Sequence, residues 1–286
     1  MKPILVTGGT GQVGTALRQL GPSLGVEIIA PERSELDLAD SCSIERMLGD
    51  RDWAAVINCA AYTGVDKAES EPDLAHAVNA VAPEIIGKVT AARGLRLLHV
   101  STDYVFDGSS AGLYDEDDPV APLGVYGASK QAGEAAIRVS NADHIILRTA
   151  WVVSPWGHNF VRTMLRVGPE RGTLRVVDDQ RGCPTSAHDI ARTLLTIATD
   201  GAAAGTYHFV NAGEATWCEL ARFVFERAGL EVKVEGITTD QYPTPAKRPA
   251  NSRLSTAKLQ GAFGIVPRPW QHAVGEVMDA LVKGQQ

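Results

Sequence analysis

Ile4-Leu5-Val6-Thr7-Gly8-Gly9-Thr10-Gly11-Gln12-Val13-Gly14 carries a short apolar, β-branched strand straight into a glycine-rich turn and the first residues of a helix. Gly8, Gly11 and Gly14 give a GxxGxxG spacing, and Gly9, Gly11 and Gly14 equally satisfy GxGxxG. Either reading supplies a tight turn, room for a pyrophosphate to approach the backbone, and close packing of helix on strand. The helix start adds free N–H donors and a partial positive charge. A strand before the glycines and a helix after them make this a dinucleotide cradle, with Gly8, Thr10, Gly11 and Gly14 at its phosphate end.

Working outward, short strand-like runs alternate with helical patterns: Ile4 to Thr7, Val26 to Ala30, Ala55 to Cys59, Leu97 to Ser101 and His144 to Thr149 are the strands of a doubly wound parallel sheet. The fold class expected is α/β, a Rossmann sheet with a smaller interleaved C-terminal lobe. Residues 1–150 form the dinucleotide-binding domain, and 151–286 form mainly the substrate lobe. Leu174 to Val177, followed by a helix from about Ser186 to Thr199, reads as a βα unit (near 173–200) returning to the main sheet.

At 286 residues, 44% of them apolar, the chain can bury a large core. A formal charge of −7 argues against nucleic-acid or anionic-membrane binding. No apolar run approaches the length of a membrane helix, and no signal peptide precedes the first strand. The dispersed Cys42, Cys59, Cys183 and Cys218 form no zinc or redox pair, and the seven histidines no metal motif, so the expectation is a cytoplasmic protein without a metal.

At the end of the second strand, Arg33 and Ser34 suit a 2′-phosphate, whereas Glu32 suits the free 2′-hydroxyl of NAD. The cofactor expected is therefore NADPH, with NADH also accepted. Asp37, with Leu38, follows a short third strand toward the adenine; Asp37 equally fits a helix cap or turn residue. The chemistry lies in two further segments. Val100-Ser101-Thr102-Asp103-Tyr104 leaves a strand, and Tyr126-Gly127-Ala128-Ser129-Lys130 opens a helix. Tyr126 and Lys130 share one helix face, where an ammonium lowers the pKa of a phenol and makes it a proton carrier. Lys130 also suits the nicotinamide ribose, and Thr102 offers a hydroxyl to a carbonyl or developing alkoxide. These three are the catalytic candidates.

The chain resembles the dTDP-4-dehydrorhamnose reductases of the extended short-chain dehydrogenase/reductase superfamily over nearly its whole length. The resemblance rests on Thr10 to Gly14, Asn58 to Glu69, Val78-Asn79, Ser101 to Gly108, Tyr126 to Lys130, Arg148 to Val152, Asp179 to Thr185, and Arg248 to Leu254. It implies reduction of the C4 ketone of a dTDP-linked 4-keto-6-deoxy sugar, with hydride from the nicotinamide and a proton from Tyr126. It also implies that Gly11, Gln12, Val13, Ala61, Tyr62, Thr63, Val100, Tyr126 and Lys130 line the cofactor. Val65, Thr102, Asp103, Tyr104, Tyr126 and Trp151 would face the sugar. Some members bridge dimers through a magnesium held by glutamates whose positions here are Ala16 and His188. We expect Arg181 to meet the substrate diphosphate, with Arg248 and Arg253 as competitors.

A 4-epimerase or dehydratase would share cradle and YxxxK, but a dehydratase usually adds an acidic pair where this chain has Asp103-Tyr104. A non-catalytic NADP-binding subunit would need no Thr102, Tyr126 and Lys130 together. The acidic run Asp115 to Asp118 reads as a solvated loop.

Overall fold

The structure, a computed structural model, describes residues 2–200 and 203–283. Strands β1 (Ile4–Thr7), β2 (Ile28–Ile29), β3 (Ala55–Asn58), β4 (Arg96–Thr102) and β5 (His144–Thr149) join a sixth, Gly205–His208, in one sheet. Its order is Gly205–His208, β5, β4, β3, β1, β2, and every pairing is parallel. The chain leaves β1 toward β2 on one side and returns to β3 on the other. The crevice at that reversal opens at the carboxyl ends of the strands, where open α/β sheets bind ligands.

Alternate residues of a strand point to opposite faces, so these nearly continuous apolar strands bury both. Ile4, Val6, Ile57, Leu98 and Leu147 pack beneath helices Gln12–Ser23 and Ala187–Asp200, through Leu17, Ile190 and Leu194. Leu5, Val56, Leu97 and Ile146 face the helices that carry Ile44, Ile86 and Ile137.

Three expectations need correction. Thr173–Val177 is a strand but does not return to the main sheet; it pairs in parallel with Lys233–Ile237. Leu174 and Val176 are buried against Val224 and Phe225 of the lobe helix Trp217–Ala228, and Gly205–His208 takes the sheet edge beside β5. The helix that follows, Ala187–Asp200, does lie on the sheet. Glu35 to Leu38 is a turn rather than a third strand, because Leu36 N–H closes on Glu32 O at 2.9 Å. Within it the Asp37 carboxylate accepts Ala39 N–H at 3.0 Å, the turn-residue alternative, while Asp40 caps the next helix at Cys42 N–H, also at 3.0 Å. In the acidic run, Glu116 is buried rather than solvated and accepts His208 N–H at 2.8 Å.

Candidate active site

Gly8 sits at φ +68°, and a Cβ there would lie 2.8 Å from the Ala60 backbone; a Cβ on Gly14 would meet Gly8 O at 2.2 Å. Only glycine lets β1, β3 and the first helix converge so closely. Gly11, at the N-cap, meets no neighbour nearer than Gly8 O at 3.3 Å and leaves the helix N-terminus open to an anion. From this cradle a cleft of about 950 Å³ runs past Ala61 and Tyr62 to Thr102, Tyr126 and Trp151. Of the residues assigned from the sequence to catalysis, cofactor or sugar, all but Ser34 and Arg181 line it; the alternatives Glu32, Arg248 and Arg253 do not. The cradle, the open helix end and the length of the cleft fit a nicotinamide dinucleotide.

The rim is held by contacts between distant segments. Gln12 turns its side chain to the lobe, its Oε1 accepting from Ser154 Oγ at 2.7 Å and Asn159 Nδ2 at 3.0 Å, which leaves its backbone for the cradle. Arg33 is 81% exposed in its side chain and approaches Asp37 at 4.0 Å, free to swing onto a phosphate. Asn79 holds the Tyr62 backbone by two bonds, accepting its N–H at 2.8 Å and donating to its carbonyl at 3.1 Å, and also donates to Ser129 Oγ at 3.0 Å. Asn79 sits in a π turn, Ala77–Val81, that interrupts an otherwise α-helical segment. Such bulges gather at functional sites. Helical periodicity gives no signal for it.

At the chemical end, Thr102 closes β4 with its hydroxyl donated to Asp103 Oδ1 at 3.0 Å, while Tyr104 N–H donates to Thr102 Oγ1 at 3.2 Å. Asp103 is buried with Oδ2 unpartnered, and burial pushes its pKa up to about 6. The rings of Tyr104 and Tyr126 meet edge to face at 5.4 Å. Here the expected electrostatics are reversed. Desolvation pushes Tyr126 up to about 12, against a hydrogen bond with Thr102 that lowers it. The ammonium expected to depress it is turned elsewhere: Lys130 Nζ donates to Val100 O at 2.8 Å and meets His99 Nε2 at 3.1 Å. Burial brings Lys130 itself down to about 8. Tyr126 is therefore a protonated phenol at neutral pH, the form a proton donor requires.

Across the cleft, Trp151 occupies the left-handed region at φ +48°. Thr185 N–H donates to its carbonyl at 3.0 Å, and Gly182 lies so close that a Cβ would come within 2.3 Å of the indole. Trp217 of the lobe stacks on Trp151 at 3.5 Å, and Phe160 lies against Trp217 at 4.8 Å. Trp217 and Phe160 also line the cleft, and no motif announced either. Arg181 is outside the cleft lining, half-exposed and paired with Glu214 at 2.8 Å, a carboxylate it shares with Arg253 at 2.6 Å. Arg248 is engaged by Asp66 at 2.8 Å. Ala16 is fully buried and His188 packs on Trp156 at 5.0 Å.

A family model described as RmlD substrate binding domain matches residues 1–283. The dTDP-4-dehydrorhamnose reductase of Sinorhizobium fredii is 42% identical over 290 residues, covering 98% of this chain and 97% of that protein. The solved dTDP-4-dehydrorhamnose reductase of Clostridium acetobutylicum superposes with a TM-score of 0.94 at 36% identity, covering 98% of this chain and 99% of that one. That of Bacillus anthracis, in complex with NADP, gives 0.93 at 33%, with coverage of 98% and 99%. With matches spanning nearly the full length of both partners, the chain belongs to the RmlD substrate binding domain family, that of the dTDP-4-dehydrorhamnose reductases.

Proposed function

We propose that this protein reduces the C4 ketone of dTDP-4-dehydro-6-deoxy-L-mannose to give dTDP-L-rhamnose, using NADPH, with NADH as an alternative donor. The observation that carries the reading is the convergence of Thr102, Tyr126 and Lys130 at one end of a cleft whose other end is the glycine cradle. The bound cofactor supplies a hydride to C4. Tyr126 gives its phenolic proton to the oxygen that was the ketone, and the Thr102 hydroxyl, its proton turned from Asp103 Oδ1 to the Tyr126 oxygen, stabilises the phenolate left behind. Lys130, its Nζ tied to Val100 O and His99 Nε2, lines the cleft where it would hold the nicotinamide ribose. Asp103, Tyr104 and Val65 face the sugar, and Trp151 with Trp217 offers it a flat apolar wall. In this reading the six-stranded sheet and its helices hold the cofactor and the lobe holds the sugar. Among the described residues no helix is long and apolar enough to cross a membrane. Consumption of NADPH and a nucleotide sugar fits a cytoplasmic setting.

The test is steady-state oxidation of NADPH by the purified protein with the dTDP-4-keto sugar, product identified by NMR. One dTDP-L-rhamnose per NADPH consumed supports the reading. Turnover of the sugar with no net NADPH consumption would point to an epimerase, and no turnover to a binding subunit.

A further inference from the structure

The register of the sheet sets three polar side chains abreast. Thr7 of β1 pairs with Asn58 of β3, and Asn58 pairs with His99 of β4. Two residues earlier in the same strands stand Leu5, Val56 and Leu97, buried in an apolar layer on the same face. That layer therefore ends, under the cleft, in a polar row. Thr7 Oγ1 lies 2.5 Å from Asn58 Oδ1, Asn58 Nδ2 lies 2.9 Å from His99 Nδ1, and His99 Nε2 lies 3.1 Å from Lys130 Nζ. None of the four is more than 2% exposed. Polar groups so enclosed cost free energy unless bonded, and replacing the whole row by apolar groups would avoid that cost.

We propose that His99 is a positioning residue for the reduction: its imidazole holds the Lys130 side chain in place and solvates the ammonium without cancelling its charge. A carboxylate at this position would neutralise the ammonium, whereas a neutral ring leaves its charge for the nicotinamide ribose. The other groups facing Lys130 are accounted for. Val100 O accepts from it, and Cys59 at the end of β3 is a thiol whose pKa burial pushes up to about 12. Glu134, on the same helix, is already bound by Arg148 at 2.7 and 2.9 Å, by Arg138 at 2.7 Å and by Ser101 Oγ at 2.6 Å. The row has two self-consistent proton arrangements. As the row stands, with Asn58 Oδ1 toward Thr7 and its amide nitrogen toward the ring, the ring proton is on Nε2 and Lys130 is an amine. With the amide turned over, the proton is on Nδ1 and Lys130 is an ammonium donating to Nε2. The orientation of Asn58 is thus coupled to the charge on Lys130.

This inference rests on the assignment of Lys130 to the reaction, but its test does not need substrate. Lys130 is followed by NMR titration of 13Cε-lysine in the ligand-free wild type, His99→Phe and His99→Gln, and His99 tautomers by imidazole 15N shifts. Glutamine retains an acceptor oxygen; phenylalanine does not. We expect Lys130 to titrate at least one pH unit lower in His99→Phe, a tenfold loss of proton affinity, and near the wild-type position in His99→Gln. The basic limb of kcat should move with it while the sugar KM stays put. An unchanged Lys130 titration in His99→Phe overturns the proposal, as does an equal shift in both variants. Should His99→Phe not fold, a wild-type His99 locked as the Nε2–H tautomer on both sides of the Lys130 titration would overturn it equally.

Discussion

The two walls of the cleft are built on opposite principles. On the sheet side, polar groups are enclosed and, Asp103 Oδ2 and Thr149 Oγ1 excepted, tied to neighbours: Lys130 to His99 and Val100, Thr102 to Asp103, Asn79 to the Tyr62 backbone. On the lobe side the wall is aromatic, Trp151 on Trp217, and the arginines pair outside the cleft with Glu214. An enclosed polar frame is stiff, because breaking any bond strands a partner out of water. An aromatic wall has area without direction. Chemistry belongs to the first and fit to the second, and that contrast can be broken or sharpened by mutation.

The largest effect should come from Tyr126→Phe, which removes the proton donor from the stiff wall. Turnover should fall by roughly 10² to 10⁴ with NADPH affinity retained. Near-normal turnover in this variant would move the proton source elsewhere. Next is Asp103, whose folded pKa is raised from 3.8 to about 6. The native state binds this proton more tightly than the unfolded chain, so the stabilisation is present below about pH 4 and is lost as pH rises toward 6. Above that window the buried carboxylate costs stability. Asp103→Asn should therefore gain up to roughly 3 kcal/mol at pH 7 and nothing at pH 4, while losing activity. Melting at the two pH values reads the difference, and equal gains would mean that Asp103 is not buried as a carboxylate.

Smaller effects lie at the exposed rim. Arg33→Ala should weaken NADPH binding about tenfold and NADH hardly at all, because only NADPH has a 2′-phosphate to meet a guanidinium. Equal losses would make Arg33 a support for its turn. Smallest is Arg181→Ala: with its guanidinium held by Glu214 outside the cleft, the sugar KM should stay within about twofold. A large rise would show that the ion pair opens to take the diphosphate.

The same contrast explains what the sequence revealed. The cradle, the YxxxK pair and the Ser-Thr strand end were legible because each is a short contiguous segment whose backbone geometry dictates its residues. Nearly all the residues read from them reach the cleft. Trp217, Phe160 and Gly182 become neighbours of Trp151 only when the lobe folds back, so no local spacing reports them. The strand at Thr173–Val177 was recognised but misplaced, since alternation identifies a strand and not its partner. Asn58 and His99 did leave a trace, Asn58 as the polar last residue of an apolar strand and His99 as a polar residue between Leu98 and Val100 in the middle of another. Their alignment depended on register, which the sequence does not display.

The central claim, that this cleft carries a hydride to C4 of a nucleotide-linked keto sugar, is tested most directly with NADPH deuterated at the transferring position. The account predicts one deuterium at C4 of the dTDP-L-rhamnose formed and none elsewhere in the sugar. Product formed without deuterium at C4, or a sugar epimerised with the cofactor's label retained, would contradict it.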